Sequence, residues 1–91
     1  MTLTRGGFRR YDYDRMVVLF TMTDDATEVA CAISSAALDD LDGSTATKAE
    51  QREQQFLRLR DRIEERASRK FADAELEGRP PGIILRSVDF R

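Results

Sequence analysis

Apolar positions alternate in the first third of the chain and later recur every three or four residues, which predicts strands early and helices afterwards. From Arg15 to Met22, Met16, Val18, Phe20 and Met22 fall on one side and Val17, Leu19 and Thr21 on the other. Both sides are largely apolar, as expected of a central strand. Thr23-Asp24-Asp25-Ala26 is a polar break, after which Val29, Cys31 and Ile33 alternate with Glu28, Ala30 and Ala32. Two such runs with a short connection predict a β-hairpin. Ahead of them, residues 1–11, with Gly6-Gly7 between Arg5 and Phe8, predict either a flexible arm or a short edge strand.

The helical signals follow. Ser34 or Ser35 supplies a side-chain oxygen to cap a short helix with Leu38 and Leu41 facing inward, and Gly43 ends it. Thr47-Lys48-Ala49-Glu50 has the form of a capping box. Behind it Phe56, Leu59, Ile63, Ala67, Phe71 and Ala74 form one stripe, predicting a helix from Thr47 to Leu76. At about 1.5 Å per residue that helix is about 45 Å long, against about 30 Å for a compact domain of this size. The polar turns Lys48 to Gln55 are therefore expected to overhang, unless the helix kinks or starts late. Gly78-Arg79-Pro80-Pro81-Gly82 is a stop, and Ile83 to Phe90 reads as a strand. The expectation is one α+β domain over residues 1–91, ordered β-β-α-α-β. Its antiparallel sheet has three strands, or four with the N-terminal arm, packed against a short and a long helix.

The chain resembles a known family at this point. The residues that carry the likeness are Phe8, Tyr11-Asp12 ahead of a strand ending in Phe20, and Val29-x-Cys31-x-Ile33 followed by Ala37-Leu38-x-x-Leu41. Phe56-x-x-x-Arg60-x-x-Ile63-Glu64-Glu65-x-Ala67 and a closing Ser87-Val88-Asp89-Phe90 complete the set. In that order they resemble the bacterial proteins grouped as domain of unknown function 1488. The resemblance covers nearly the whole chain and implies the same small α+β fold; it supplies no activity.

Composition narrows the function classes. The chain of 91 residues is 41% hydrophobic and 35% charged, too apolar for disorder and too charged for a membrane span. Its longest apolar run, Met16 to Phe20, is far short of a bilayer, and no signal-peptide pattern opens the chain. Cys31 is the single cysteine, so neither an internal disulfide nor a cysteine-rich metal site can form, which fits a reducing, cytoplasmic setting. A net charge of −2 gives no global basic surplus for nucleic acid. The charge is nevertheless uneven: residues 16–47 carry six carboxylates and no lysine or arginine.

The chain contains no histidine, which removes the usual general base and metal ligand. Cys31, between two alanines in an alternating strand, reads as a buried structural thiol. Asp40-Leu41-Asp42-Gly43 has part of a calcium-loop pattern, but Leu38 and Ala49 stand where its first and last ligands belong. Asp39, Asp40 and Asp42 read as a solvated helix end, and the glycines match no phosphate-binding loop. No catalytic, cofactor or metal residues are assigned.

Two surfaces are candidates for binding. At 100° per residue, Arg58, Arg62, Arg66 and Arg69 fall within about 80° of one another on the long helix. Such an edge suits an anionic protein partner or, as an alternative, nucleic acid, and the chain's own acidic block is a third target. Ion pairs Arg62–Glu65, Arg58–Asp61 and Arg69–Asp73 are the plainer explanation. The second candidate is the sheet face bearing Val17 and Leu19, with Ala30 and Ala32 and, from the last strand, Ile83 and Leu85, which two helices on the other side leave uncovered. Self-association through it predicts a homodimer, unless the N-terminal arm folds over it with Leu3, Phe8 and Tyr11. The sequence thus predicts a non-enzymatic interaction domain.

Overall fold

The computed structural model describes residues 3–44, 47–78 and 81–90. Arg79 and Pro80, inside the predicted Gly78–Gly82 stop, lie outside these residues. Three strands, β1 (Thr4–Asp12), β2 (Val17–Asp24) and β3 (Thr27–Ser34), lead into the helix α1 (Ser35–Asp42). A 3-10 turn, Ala49–Gln51, opens the long helix α2 (Arg52–Ala72). The chain closes with β4 (Ile83–Leu85) and a 3-10 turn, Ser87–Phe90. The strands form one sheet in the order β1-β2-β3-β4, with both helices on one face. The α+β class, the short and long helices and the fourth strand agree with the sequence pattern.

The N-terminal segment is a full edge strand of nine residues, antiparallel to β2. Register shifts flank Phe8, and Gly6 permits them: a Cβ there would collide with the Thr21 carbonyl oxygen. In its place the Thr21 hydroxyl accepts the Gly7 N–H at 3.1 Å. Leu3 is buried and Phe8 and Tyr11 pack partly buried on the helix-covered side, all three in the core cluster. The arm therefore does not fold over the opposite face.

The hairpin β2-β3 is present, with its turn cut to Asp25-Ala26, and Asp25 adopts φ 53°. Met16 is a correction: it sits in the preceding turn at φ 55° and is 58% exposed, so the buried side of β2 consists of Val18, Phe20 and Met22. The Ser34 hydroxyl accepts the Ala37 N–H and caps α1, and Gly43 at φ 70° ends it.

Three further expectations are corrected. The last strand is parallel to β3, pairing Cys31 with Ile83 and Ile33 with Leu85. The connection from β3 to β4 runs through both helices, and α2 spans the sheet before the chain enters β4. That long crossover delivers the strand in the direction of β3, as parallel pairing requires. The strand also stops at Leu85, because the Asp89 carboxylate accepts the Arg86 N–H at 2.8 Å and draws the chain into the closing turn.

The long helix has 21 residues and begins at Arg52. Its entry is organised around Lys48, whose N–H donates to Gln51 Oε1 at 3.0 Å, with no Thr47 box. Arg52 and Gln55 are buried, so the opening turns do not overhang. At its end Ala74, at φ 58°, is already exposed in a turn. About 31 Å of helix results from the rise per residue, which fits the 36 Å long axis of the molecule.

The core lies between sheet and helices. Phe20 and Phe56 meet with ring centroids 5.0 Å apart, and Ile33, Leu38, Ile63, Ile83 and Leu85 surround them with at most 1% exposure.

Candidate functional site

The register assigns each strand residue to a face. Val18, Phe20 and Met22 of β2 and Cys31 and Ile33 of β3 point to the helices, so Val17, Leu19, Thr21, Ala30 and Ala32 point away. Ala32 pairs with Ile84 of β4, which extends the outward strip to the far edge of the sheet. Neither helix and no described part of the N-terminal strand covers this strip. Leu19 and Ile84 are half-buried and Ala30 is exposed, whereas Val17 retains only 8% exposure and presents little area. A shallow groove of about 270 Å³ runs between Arg15, Leu19, Ala32 and Ile84. At the other end Arg9 reaches Glu28 at 3.6 Å, both well exposed.

Of the four arginines predicted to form one edge of α2, the structure keeps three together. Arg58 turns away to Asp42, with Nη2 2.7 Å from Oδ2. Arg62, Arg66 and Arg69 line an open cleft of about 370 Å³ whose opposite wall is Val88, Asp89 and Phe90. Arg66 Nε donates to the Asp89 carbonyl oxygen at 2.7 Å, and Arg69 pairs loosely with Glu65 at 3.7 Å. Arg62 has no ion-pair partner among the described residues. Asp61, the predicted partner of Arg58, instead accepts from Arg5 at 2.7 Å.

Asp89 organises the closing turn. Its carboxylate takes the Lys70 ammonium at 3.1 Å, and Lys70 also donates to the Ile84 carbonyl at 2.9 Å. Burial alone pushes the Asp89 carboxyl upward, but the Arg86 amide, the Lys70 hydrogen bond and the charges of Lys70 and Arg66 outweigh it and hold it below the usual range.

The reading of Asp39 and Asp42 as a solvated helix end is corrected. Asp39 receives Arg52 Nη1 at 2.8 Å and Gln55 Nε2 at 3.0 Å, and Asp42 receives Ser44 and Arg58. This network fastens α1 to α2. Burial raises the Asp39 carboxyl, and hydrogen bonds from Arg52, Gln55 and Thr47 more than reverse that. The Ser44 hydroxyl and the Arg58 guanidinium likewise lower Asp42. The acidic block thus meets the arginine edge within the same chain. Glu64, 8% exposed, was also missed: it accepts Arg5 Nε at 2.8 Å and Arg60 Nε at 3.0 Å and ties β1 to α2.

Chemistry at single residues is limited. Cys31 is buried, its Sγ–H directed at the Val29 carbonyl, and burial pushes the thiol up to about 12. It is held as the unreactive thiol. Among the described residues no group of three cysteine, aspartate or glutamate side chains is placed to hold a metal ion, and no helix is long and apolar enough to cross a membrane.

Residues 5–84 match the family described as protein of unknown function (DUF1488). The chain belongs to this family. A DUF1488 family protein of unknown function from Shewanella loihica PV-4, solved in the crystal at 1.60 Å, has the same fold at a TM-score of 0.75. The two share 20% sequence identity, over 91% of this chain and 94% of that one. No curated protein matches the sequence. The DUF1488 signature residues quoted from the sequence, among them Phe8, Phe20, Ile33, Leu38, Phe56 and Ile63, fall in or against the core.

Proposed function

We propose that this DUF1488 protein works by binding and not by catalysis, and that the partner of its bare sheet face is a second copy of the same chain. The observation that carries the reading is the placement of β1. By sending Leu3, Phe8 and Tyr11 to the helix side, it leaves Leu19, Ala30 and Ile84 with no cover of their own.

Size supports a second copy as the occupant. Strands of 9, 8, 8 and 3 residues, at about 4.8 Å spacing and about 3.3 Å per residue, present roughly 440 Å² on one face. Two faces together bury roughly 900 Å², close to the lower limit of about 1,000 Å² for a specific interface. Flat sheets pack face to face at about 10 Å, a separation that alanine and leucine side chains fill. A two-fold axis along the strands lays the arginine-bearing β1 edge of one copy over the β4 edge of the other, where Glu77 is paired with Arg86.

An interface at this lower limit is expected to give a weak, concentration-dependent dimer in the micromolar range. Sedimentation equilibrium between about 5 and 300 μM is expected to show mass rising toward twice that of the chain. Leu19→Glu, which places a charge at the centre of the strip, is expected to abolish the rise without unfolding the protein. A wild-type chain that stays monomeric across the range overturns the reading.

The absence of histidine, the buried high-pKa thiol and the engagement of Asp39, Asp42, Glu64 and Asp89 by cations all support the non-catalytic part. None of these groups is a nucleophile or base with a partner to activate it.

A further inference from the structure

We propose that the cleft between α2 and the closing turn binds a compact organic phosphate, with Arg62, Arg66 and Arg69 as donors and Val88 and Phe90 as an apolar wall. The cleft is separate from the bare sheet face, since both its walls belong to the helix-covered side of the molecule.

Charge is the first support. The charged groups lining the cleft are Arg62, Arg66 and Arg69 against Glu65 and Asp89, a local surplus of one positive charge in a chain of net charge −2. The two acids are already committed. Asp89 holds Lys70 and the Arg86 amide, and Glu65 holds Arg69 loosely at 3.7 Å. Arg62 is left with all its donors available among the described residues.

Arg66 is the second support. Its Nε is fixed on the Asp89 backbone carbonyl, which orients the guanidinium at the edge of the cleft. Its Nη2 stands 3.6 Å from Asp89 Oδ1, too long for a strong pair, and its Nη1 is buried with no hydrogen-bond partner among the described residues. The rest of the guanidinium, on a side chain 24% exposed, borders the cleft and turns positive charge toward it. Guanidinium forks match phosphate oxygens geometrically, which favours phosphate over a halide or a lone carboxylate.

The shape points to a small ligand and away from nucleic acid. With Arg58 held by Asp42, the remaining donors run only from Arg62 to Arg69, about 10 Å of helix. Glu65 and Asp61 lie beside them, and a phosphate backbone crossing the helix would meet those carboxylates. A volume of about 370 Å³ suits a phosphate attached to an organic group, and Val88, 65% exposed, offers that group apolar contact. The C-terminal pole of α2 opposes an anion, but it acts within the last turn, and Arg62 and Arg66 precede it.

Phenyl phosphate and inorganic phosphate, titrated into the full chain and followed by amide and arginine Nε–H NMR shifts, test the assignment. Saturable shifts at Val88, Phe90 and Arg66 with phenyl phosphate, tighter than with inorganic phosphate, are the expected result. Arg62→Gln removes an exposed side chain with no structural partner and is expected to weaken binding about tenfold, the loss of one charge-assisted contact. Arg58→Gln, outside the cleft, leaves it unchanged. No saturable shift up to about 20 mM, a regime too weak for a built site, overturns the proposal. So does an Arg62→Gln variant that binds as wild type does, or displacement of phenyl phosphate by a short oligonucleotide. Leu19→Glu separates the two readings, because loss of the dimer leaves the cleft and its titration intact.

Discussion

Arg52 carries its charge into the interior with 6% exposure and spends it on Asp39, 2.8 Å away, and on Gln55. Replacing it with alanine leaves the Asp39 carboxylate and Gln55 without their main partner. Arg52→Ala is expected to lower stability by about 2–3 kcal/mol in urea denaturation, discounted because Asp39 is a quarter exposed. A loss below about 0.5 kcal/mol, typical of a surface site, contradicts this assignment. The burial of Arg52 was partly legible: it lies four residues before Phe56 and so on the apolar stripe, but its charge placed it among the overhanging turns. Asp39 was not legible in the same way. A run of acids at a helix end looks solvated until a second helix is laid against it, and sequence spacing says nothing of that contact. Arg58 shows the converse, since its predicted neighbour Asp61 was within reach on the same helix and the inter-helix Asp42 took it.

Elements were easier to read than their directions. The stripe through Phe56, Ile63 and Ala67, all with 0% exposure, located α2, and the alternation in β2 and β3 located the hairpin, though not its register or its shorter turn. Periodicity carries no sense of direction, so the parallel course of β4 could be seen only from the crossover through both helices. The entry to α2 was misplaced because Thr47 and Glu50 satisfy the pattern of a cap, while the backbone used Lys48 and Gln51 one position later. The β1 strand was half-visible: Gly6-Gly7 reads as flexibility, yet the close approach of Thr21 makes glycine the residue that allows pairing there. The cap of α1 was legible as Ser34 or Ser35, of which the structure uses Ser34, and its strength can be measured. Ser34→Ala removes the acceptor for the Ala37 N–H and is expected to cost about 1 kcal/mol in thermal or urea unfolding. Ser34→Asp, which restores an acceptor, is expected to recover most of it.

Over the whole molecule, carboxylates fasten the layers together: Glu64 joins β1 to α2, and three aspartates act elsewhere, Asp39 and Asp42 joining α1 to α2 and Asp89 joining the closing turn to α2. All three are held below their ordinary value of 3.8 in the folded state. A lowered folded pKa means the unfolded chain takes up protons first as pH falls. Their contribution is therefore fully present above about pH 5 and declines below about pH 4 as the folded values are approached. Thermal unfolding is expected to be flat from pH 5 to 8, where no histidine titrates, and to fall steeply toward pH 3. A slope between pH 6 and 8 contradicts this.

The bare sheet face is also a property of the whole molecule, and its role could be anticipated only in outline. Val17 and Leu19 lie on the open side with Ala30 and Ala32, whereas Ile83 and Leu85, expected there too, are buried in the core; Val17 and Ala32 are themselves nearly covered, and the strip is carried by Leu19, Ala30 and Ile84. A dilution series observed through methyl NMR tests the self-association account most directly, because it reads location and affinity together. The account predicts that the Leu19, Ala30, Ala32 and Ile84 methyl signals move together with concentration along one binding curve, while Leu38 and Ile63 in the core stay fixed. Signals that do not move, or that move only along the arginine edge of α2, contradict it.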